Sequence, residues 1–196
     1  MGKIYVSDKK KKIVDTIACL VDENGLKNIS IKQICEEADI SIGTFYHYFE
    51  SKDTIVYDMF EVLNEYFFDN ENLIRSQKTS KEAAIYFAKS FGEFAEEWGY
   101  HANVLISTAR VRKKLISIPD HDMWNILKSI LEEAIEKGEL SNIYDANFYT
   151  DSIKAIIRGS LLEWIYIKDD FDVENTIINR VACFLKWPIF LWNKFN

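Results

Sequence analysis

Hydroxyls, an imidazole and an ammonium crowd into one short stretch of this 196-residue chain: Ser41, Thr44, Tyr46, His47, Tyr48 and Lys52, with Gly43 among them. Neither here nor elsewhere does the sequence offer a Ser/His/Asp or Cys/His constellation, a Gly-rich phosphate loop or a paired-carboxylate motif. Catalysis therefore has no candidate residues, and the chain is not expected to be an enzyme. What these groups can do is hydrogen bond. Thr44 and Tyr46 offer hydroxyls, and a helix starting after Ser41 would turn backbone N–H groups toward a phosphate. Gly43 would let another backbone come close, and Lys52 adds a cation on the flank. A second reading of the same residues makes Tyr46, His47 and Tyr48 a half-buried aromatic cluster. Asp120-His121-Asp122 has the look of a metal site, but Pro119 precedes it and acids there complement a helix N-terminus. With no second ligand group at a suitable spacing, no metal and no other cofactor is expected.

The spacing of apolar residues sets the elements that must carry the cluster. Ile13, Ile17, Leu20 and Val21 repeat at helical spacing, with Gly25 as a stop. Ile31, Ile34, Cys35 and Ala38 follow at i, i+3, i+4 and i+7 behind a Ser30/Gln33 capping box. Ile42, Phe45 and Phe49 mark a third short helix. Ala38 to Ser41 is then a four-residue turn between the second and third helices, which is the arrangement of a trihelical unit whose third helix enters the major groove of DNA. Phe45 and Phe49 would fill its core, leaving Gly43, Thr44, Tyr46 and His47 to point elsewhere.

Beyond residue 50 the pattern stays helical: one helix opened by Ser51-Lys52-Asp53 and reaching about Ile74, a second capping box at Thr79 to Glu82, then helices at about 80–98, 102–117, 121–137, 146–168 and 173–187. Gly138 should stop the helix before it, Asp172 can cap the last, and Pro188 should end or kink it. No strand alternation of useful length occurs. The expected fold is all-α with about nine helices, divided into an N-terminal three-helix unit (1–50) and a helical body (51–196).

Charge qualifies the nucleic-acid reading. The chain is acidic, with a formal charge of −7, so contact with DNA must use a local patch. Lys9 to Lys12 supply one at the N-terminus. Cys19, Cys35 and Cys183 lack any C-x-x-C spacing and read as reduced thiols of a cytoplasmic protein. No segment has the roughly 18 apolar residues of a membrane span; Ile153 to Ile167 is interrupted by Lys154, Arg158 and Glu163.

At this point the residues resemble a family. Ile34-Cys35-Glu36-Glu37-Ala38-Asp39-Ile40-Ser41-Ile42-Gly43-Thr44-Phe45-Tyr46-His47-Tyr48-Phe49-Glu50-Ser51-Lys52-Asp53 is similar to the helix-turn-helix of tetracycline-repressor (TetR) family regulators, and Gly25-Leu26 and Asn28-Ile29-Ser30 to its approach. The resemblance covers roughly residues 10–60. It implies that Ser41, Thr44, Tyr46, Tyr48 and Lys52 bind phosphate. It places Ile42, Gly43 and His47 nearest the base edges, and Ser30 and Lys32 where the second helix meets the backbone. Two positions depart from the pattern: Asp39 stands where Gly is usual, though Asp tolerates a left-handed turn, and Ile42 stands where a polar residue is common.

In that family the remaining helices bind a small molecule and dimerise. Here the body holds all five tryptophans. Phe94, Trp98, Trp124 and Trp164 are candidate walls of an effector pocket for an apolar or aromatic compound, with Arg158 as a polar anchor; the alternatives are ordinary core packing and an ion pair. Ile153, Ile156, Ile157, Leu161, Trp164 and Ile165 line one long helix, and Ile177, Ile178, Val181, Phe184, Leu185 and Trp187 line the last. That is more apolar surface than a small core needs, so both are expected to form a homodimer interface, with Pro188 to Trp192 covering it. A single closed bundle is the other possibility. The expectation is a homodimeric regulator, usually a repressor, that binds a pseudo-palindromic double-stranded operator and is released by a small effector. An all-α small-molecule-binding or enzymatic bundle with a vestigial DNA unit is the alternative.

Overall fold

The computed structural model describes residues 8–24, 28–52, 54–111, 122–167 and 170–186. Every regular element among them is an α-helix. The first three are α1 (Asp8–Asn24), α2 (Ile31–Glu37) and α3 (Ile42–Tyr48). Helices as short as α2 and α3 cannot stand on propensity alone, so caps and burial hold them. Ser30 accepts from the Gln33 N–H at 3.1 Å while the Gln33 side chain accepts from the Ser30 N–H at 2.8 Å, which completes the expected capping box. Ile13, Ile17, Ile34, Phe45 and Phe49 close the small core between the three helices.

The body begins with α4 (Ile55–Asp69) and α5 (Glu71–Arg75), continues with α6 (Ser80–Trp98), α7 (Tyr100–Val111) and α8 (Met123–Glu136), and ends with α9 (Ala146–Ile167) and α10 (Val173–Lys186). The helix expected from Ser51 to about Ile74 is thus two. Asn70 interrupts it: its side chain donates to the Tyr66 carbonyl at 2.8 Å, competing with the backbone ladder, and its backbone leaves helical geometry. The described residues therefore hold ten helices rather than about nine. Thr79 caps α6 through the Glu82 N–H at 3.0 Å. Gly138, at φ +72°, ends α8 as its position suggested, with the Glu139 N–H reaching back to the Ala134 carbonyl at 2.8 Å.

α6 runs through the middle of the body, with α10 on one side and α8 on another. Gly92 is what lets α10 come so near: a Cβ there would lie 2.6 Å from Glu174 Cα. α9 packs against α8, α10 and α7, and α1 rests on α7.

This packing corrects part of the dimer argument. Ile153, Ile157, Ile177 and Val181 are completely buried within the single chain, so they were needed for its own core and are not surplus surface. The outward face of α9 carries Asp151, Ala155, Gly159, Leu162 and Tyr166 instead. Gly25, Leu26, Arg112, Pro119, Asp120, His121, Trp187 and the tail from Pro188 lie outside the described residues, as does the side chain of Arg110.

Candidate functional site

The turn before α3 decides how that helix is presented. The Ile40 N–H bonds the Cys35 carbonyl at 2.9 Å and the Asp39 N–H bonds the Glu36 carbonyl at 3.3 Å, the paired bonds of a Schellman ending. Asp39 takes the left-handed position at φ +53°, so the turn forms without the usual glycine. Ser41 then caps α3, accepting from the Thr44 N–H at 3.0 Å and sharing a 2.8 Å hydroxyl contact with Thr44. Phe45, fully buried, and Phe49 fix the inner face. The outer face presents Ile42 (52% exposed), Gly43, Tyr46 (54% exposed) and His47, with Thr44 and Tyr48 half-buried beside them. His47 meets Tyr48 edge-on at 4.9 Å, so the aromatic-cluster reading describes one contact, while Tyr46 projects outward.

The cations divide into free and engaged. Lys9 and Lys12 are exposed, but Lys10 is half-buried with its ammonium 5.5 Å from the Phe49 ring centre. Burial pushes the Lys10 ammonium below its ordinary range, against the pull of Asp58 and Glu65 on α4. Lys32 pairs with Glu36 at 3.5 Å on an open surface, a bond weak enough to yield to a phosphate. Lys52 donates to the Ile29 carbonyl at 2.6 Å, tying the entry of α4 to the entry of α2. That makes it a brace for the three-helix unit as well as a cation at its edge.

In the body, a cavity of about 290 Å³ lies among α4, α6, α7, α8 and α9. Its walls are nearly all apolar. Phe94 and Trp98 stack at 5.3 Å on one side, and Phe91 and Trp124 stack at 5.1 Å on another. The structure brings four of the five expected pocket residues, Phe94, Trp98, Trp124 and Arg158, to this cavity. It leaves Trp164 outside, half-buried and edge-on to Tyr100 at 6.3 Å. Among the described residues the buried indole N–H groups of Trp98 and Trp124 find no hydrogen-bond partner, so their ring faces, which stack on Phe94 and Phe91, are the contacts that place them. Arg158 makes no ion pair among the described residues and stands exposed at the rim. Behind Trp124, the nearly buried Lys154 holds its ammonium 5.3 Å over the indole ring.

Sequence reasoning missed Phe60 and Leu63, which bring α4 into the cavity wall. Their helical spacing signals burial but not what they are buried against. Asn64, on the same helix, accepts from the Met123 N–H at 2.9 Å and so caps α8, whose Met123 and Trp124 are also lining residues. A second seam joins α1 to α7, where Cys19 Sγ and His101 Nδ1 are 3.8 Å apart. α4 therefore touches the cavity directly and leads, through Thr54 and Lys52, to the three-helix unit. Among the described residues no cluster of three or more His, Cys, Asp or Glu side chains could hold a metal, and no helix is long and apolar enough to cross a membrane.

A capped helix presented over a tight turn, on an all-helical body with its own cavity, is the architecture of a helix-turn-helix unit joined to a helical body. Residues 13–59 match the model of bacterial regulatory proteins, tetR family. The matched segment runs from α1 into α4 and contains the whole helix-turn-helix. The chain is 25% identical over 173 residues to the fatty acid metabolism regulator protein of Bacillus subtilis (strain 168), covering 84% of this chain and 88% of the relative. Its fold is similar to that of FadR from Bacillus subtilis in complex with stearoyl-CoA, with a TM-score of 0.66 and 22% identity over 87% of this chain and 96% of the other. It is also similar to that of the fatty acid degradation regulator FadR from Bacillus halodurans, at a TM-score of 0.71 and 17% identity, with coverage of 94% and 96%.

Proposed function

We propose that the chain is a cytoplasmic homodimeric repressor that binds a pseudo-palindromic operator through residues 1–50 and is released when a fatty-acid-derived effector fills the cavity in residues 51–196. The observation that carries the reading is the outer face of α3: Ile42, Gly43, Tyr46 and His47 stand clear of the core while Phe45 beneath them is fully buried. Ile42, Gly43 and His47 meet base edges, Ile42 reaching a thymine methyl. Ser30, Lys32, Ser41, Thr44, Tyr46, Tyr48 and Lys52 meet phosphates, Lys52 while bracing the unit. Operator binding is stoichiometric recognition without turnover of a substrate.

Two reading helices must stand about 34–36 Å apart to enter successive major grooves, which requires a two-fold dimer. The outward face of α9 supports that assembly: Ala155 and Gly159 leave room for another helix, and Leu162 and Tyr166 offer exposed apolar surface, Tyr166 at 84%. The effector class rests on the names of the similar proteins, one a fatty acid metabolism regulator and one holding stearoyl-CoA. It also rests on an apolar cavity partly walled by Phe60 and Leu63 of α4. Filling the cavity would move α4, and with it the spacing of the two reading helices, so ligand and operator each favour one arrangement.

Selection of duplexes from a random library, followed by anisotropy at rising salt, tests the reading. A symmetric sequence is expected, bound with a log–log salt slope near −0.9 per neutralised phosphate. Failure to enrich any sequence would overturn it.

A further inference from the structure

The cavity's size and its gradient of exposure say more about the effector than its class, and this step rests on the cavity being the effector site. A volume of about 290 Å³ holds roughly ten groups of water or methylene size, at about 30 Å³ each. An eighteen-carbon chain exceeds that. The charged lining residue stands at the rim: Arg158 and Leu162 are exposed, Ser107 is half-buried, and Phe94, Trp98, Met123 and Trp124 close the interior. Asn103, the other polar lining residue, already donates both amide hydrogens, to the Ala95 and Gly99 carbonyls at 2.8 Å each. Among the described residues the unpartnered donors of the buried part are the indole N–H groups of Trp98 and Trp124, which are neutral and cannot balance an acidic group, whereas Arg158 is charged and has no carboxylate partner among the described residues.

We propose that this chain is selective for a medium-length amphiphile: an unbranched apolar tail of about eight to twelve carbons lies in the cavity, and an anionic group sits outside the tail at Arg158. The apolar interior selects on length. Each methylene that enters adds about fourfold in affinity until the cavity is full, after which further carbons must displace packed side chains. Arg158 selects on charge, and its fork suits either a carboxylate or the phosphates of a coenzyme A thioester.

Calorimetric titration of the full-length chain with n-alkanoates from six to eighteen carbons, with their coenzyme A thioesters and with the matching 1-alkanols tests both halves. Affinity should rise to a maximum between eight and twelve carbons and fall at least tenfold by sixteen. Arg158→Gln should weaken decanoate about tenfold more than 1-decanol. Phe94→Leu, which enlarges the interior, should move the maximum to longer chains. The carboxylate and thioester series separate the two sources of the anionic group, whichever binds tighter. Affinity rising steadily to eighteen carbons overturns the length limit, and equal losses for decanoate and 1-decanol in Arg158→Gln overturn the placement of the charge. If no member of any series binds, the ligand class is wrong while operator selection still stands on its own result.

Discussion

The three-helix unit and the cavity are built on opposite plans. In the first, the working groups face outward and burial is the job of a few residues, Ile13, Ile34, Phe45 and Phe49, beneath them. In the second, the working surface is the core itself: Phe94, Trp98 and Trp124 wall the cavity and are also buried members of the body's core. A substitution on the outer face of α3 can therefore change function without touching stability, whereas one in the cavity wall changes both. α4 belongs to both plans, since Phe60 and Leu63 face the cavity and Lys52, just before its start, donates to the Ile29 carbonyl of the reading unit.

The sharpest way to separate the two is Phe45→Ala. Removing a fully buried ring should cost about 3–5 kcal/mol, abolish operator binding and, if the plans are independent, leave decanoate affinity in the body nearly intact. Chemical denaturation and calorimetry read the two outcomes, and loss of both would mean that the reading unit and the cavity fold as one. Gly92→Ala attacks the body alone. A Cβ 2.6 Å from Glu174 Cα forces α6 and α10 apart, and overpacking of this kind costs about 1–3 kcal/mol. The melting temperature should fall, whereas operator affinity measured well below that temperature should hold.

His47→Ala should change base preference by about 1–3 kcal/mol at one operator position with stability unaltered. Lys52→Ala should weaken all sequences alike and, because the Ile29 carbonyl loses its donor, also lower stability; a stability change in His47→Ala would blur the contrast between the two plans. The smallest effect is expected at the turn. Asp39 holds φ +53°, a conformation that glycine adopts freely, so Asp39→Gly should stabilise the unit by up to about 1 kcal/mol. Thermal unfolding reads this, and a loss of stability would mean that the Asp39 side chain contributes more than its backbone strain costs.

The same contrast explains what could be read in the sequence. Ser30 with Gln33, Ser41 before Ile42, and the alternation of Phe45 and Phe49 with exposed neighbours are local signals, complete within a few residues, so α2, α3 and the turn between them were legible. The outer boundaries of α6 and α8 were equally plain, because Thr79 and Gly138 mark them chemically. The break at Asn70 was not, since it depends on one side chain competing for a carbonyl within an apolar pattern that continues past it. Cavity residues are harder still. Phe60, Leu63 and Met123 carry the same periodicity as any core residue, and only tertiary packing puts empty space beside them. Trp164 shares its residue type with Trp98 and Trp124, yet packs on Tyr100. Ile157 and Val181 looked like interface residues for the converse reason: a long helix in this body buries much of its own circumference inside the subunit.

The account turns on α4 joining the two regions, and a reciprocal titration tests that most directly. Operator affinity is measured by anisotropy with and without saturating decanoate, and decanoate affinity by calorimetry with and without saturating operator. Coupling through one helix requires that each ligand weaken the other by the same factor, expected between about 5- and 150-fold. Decanoate that binds in the cavity and leaves operator affinity unchanged would contradict it.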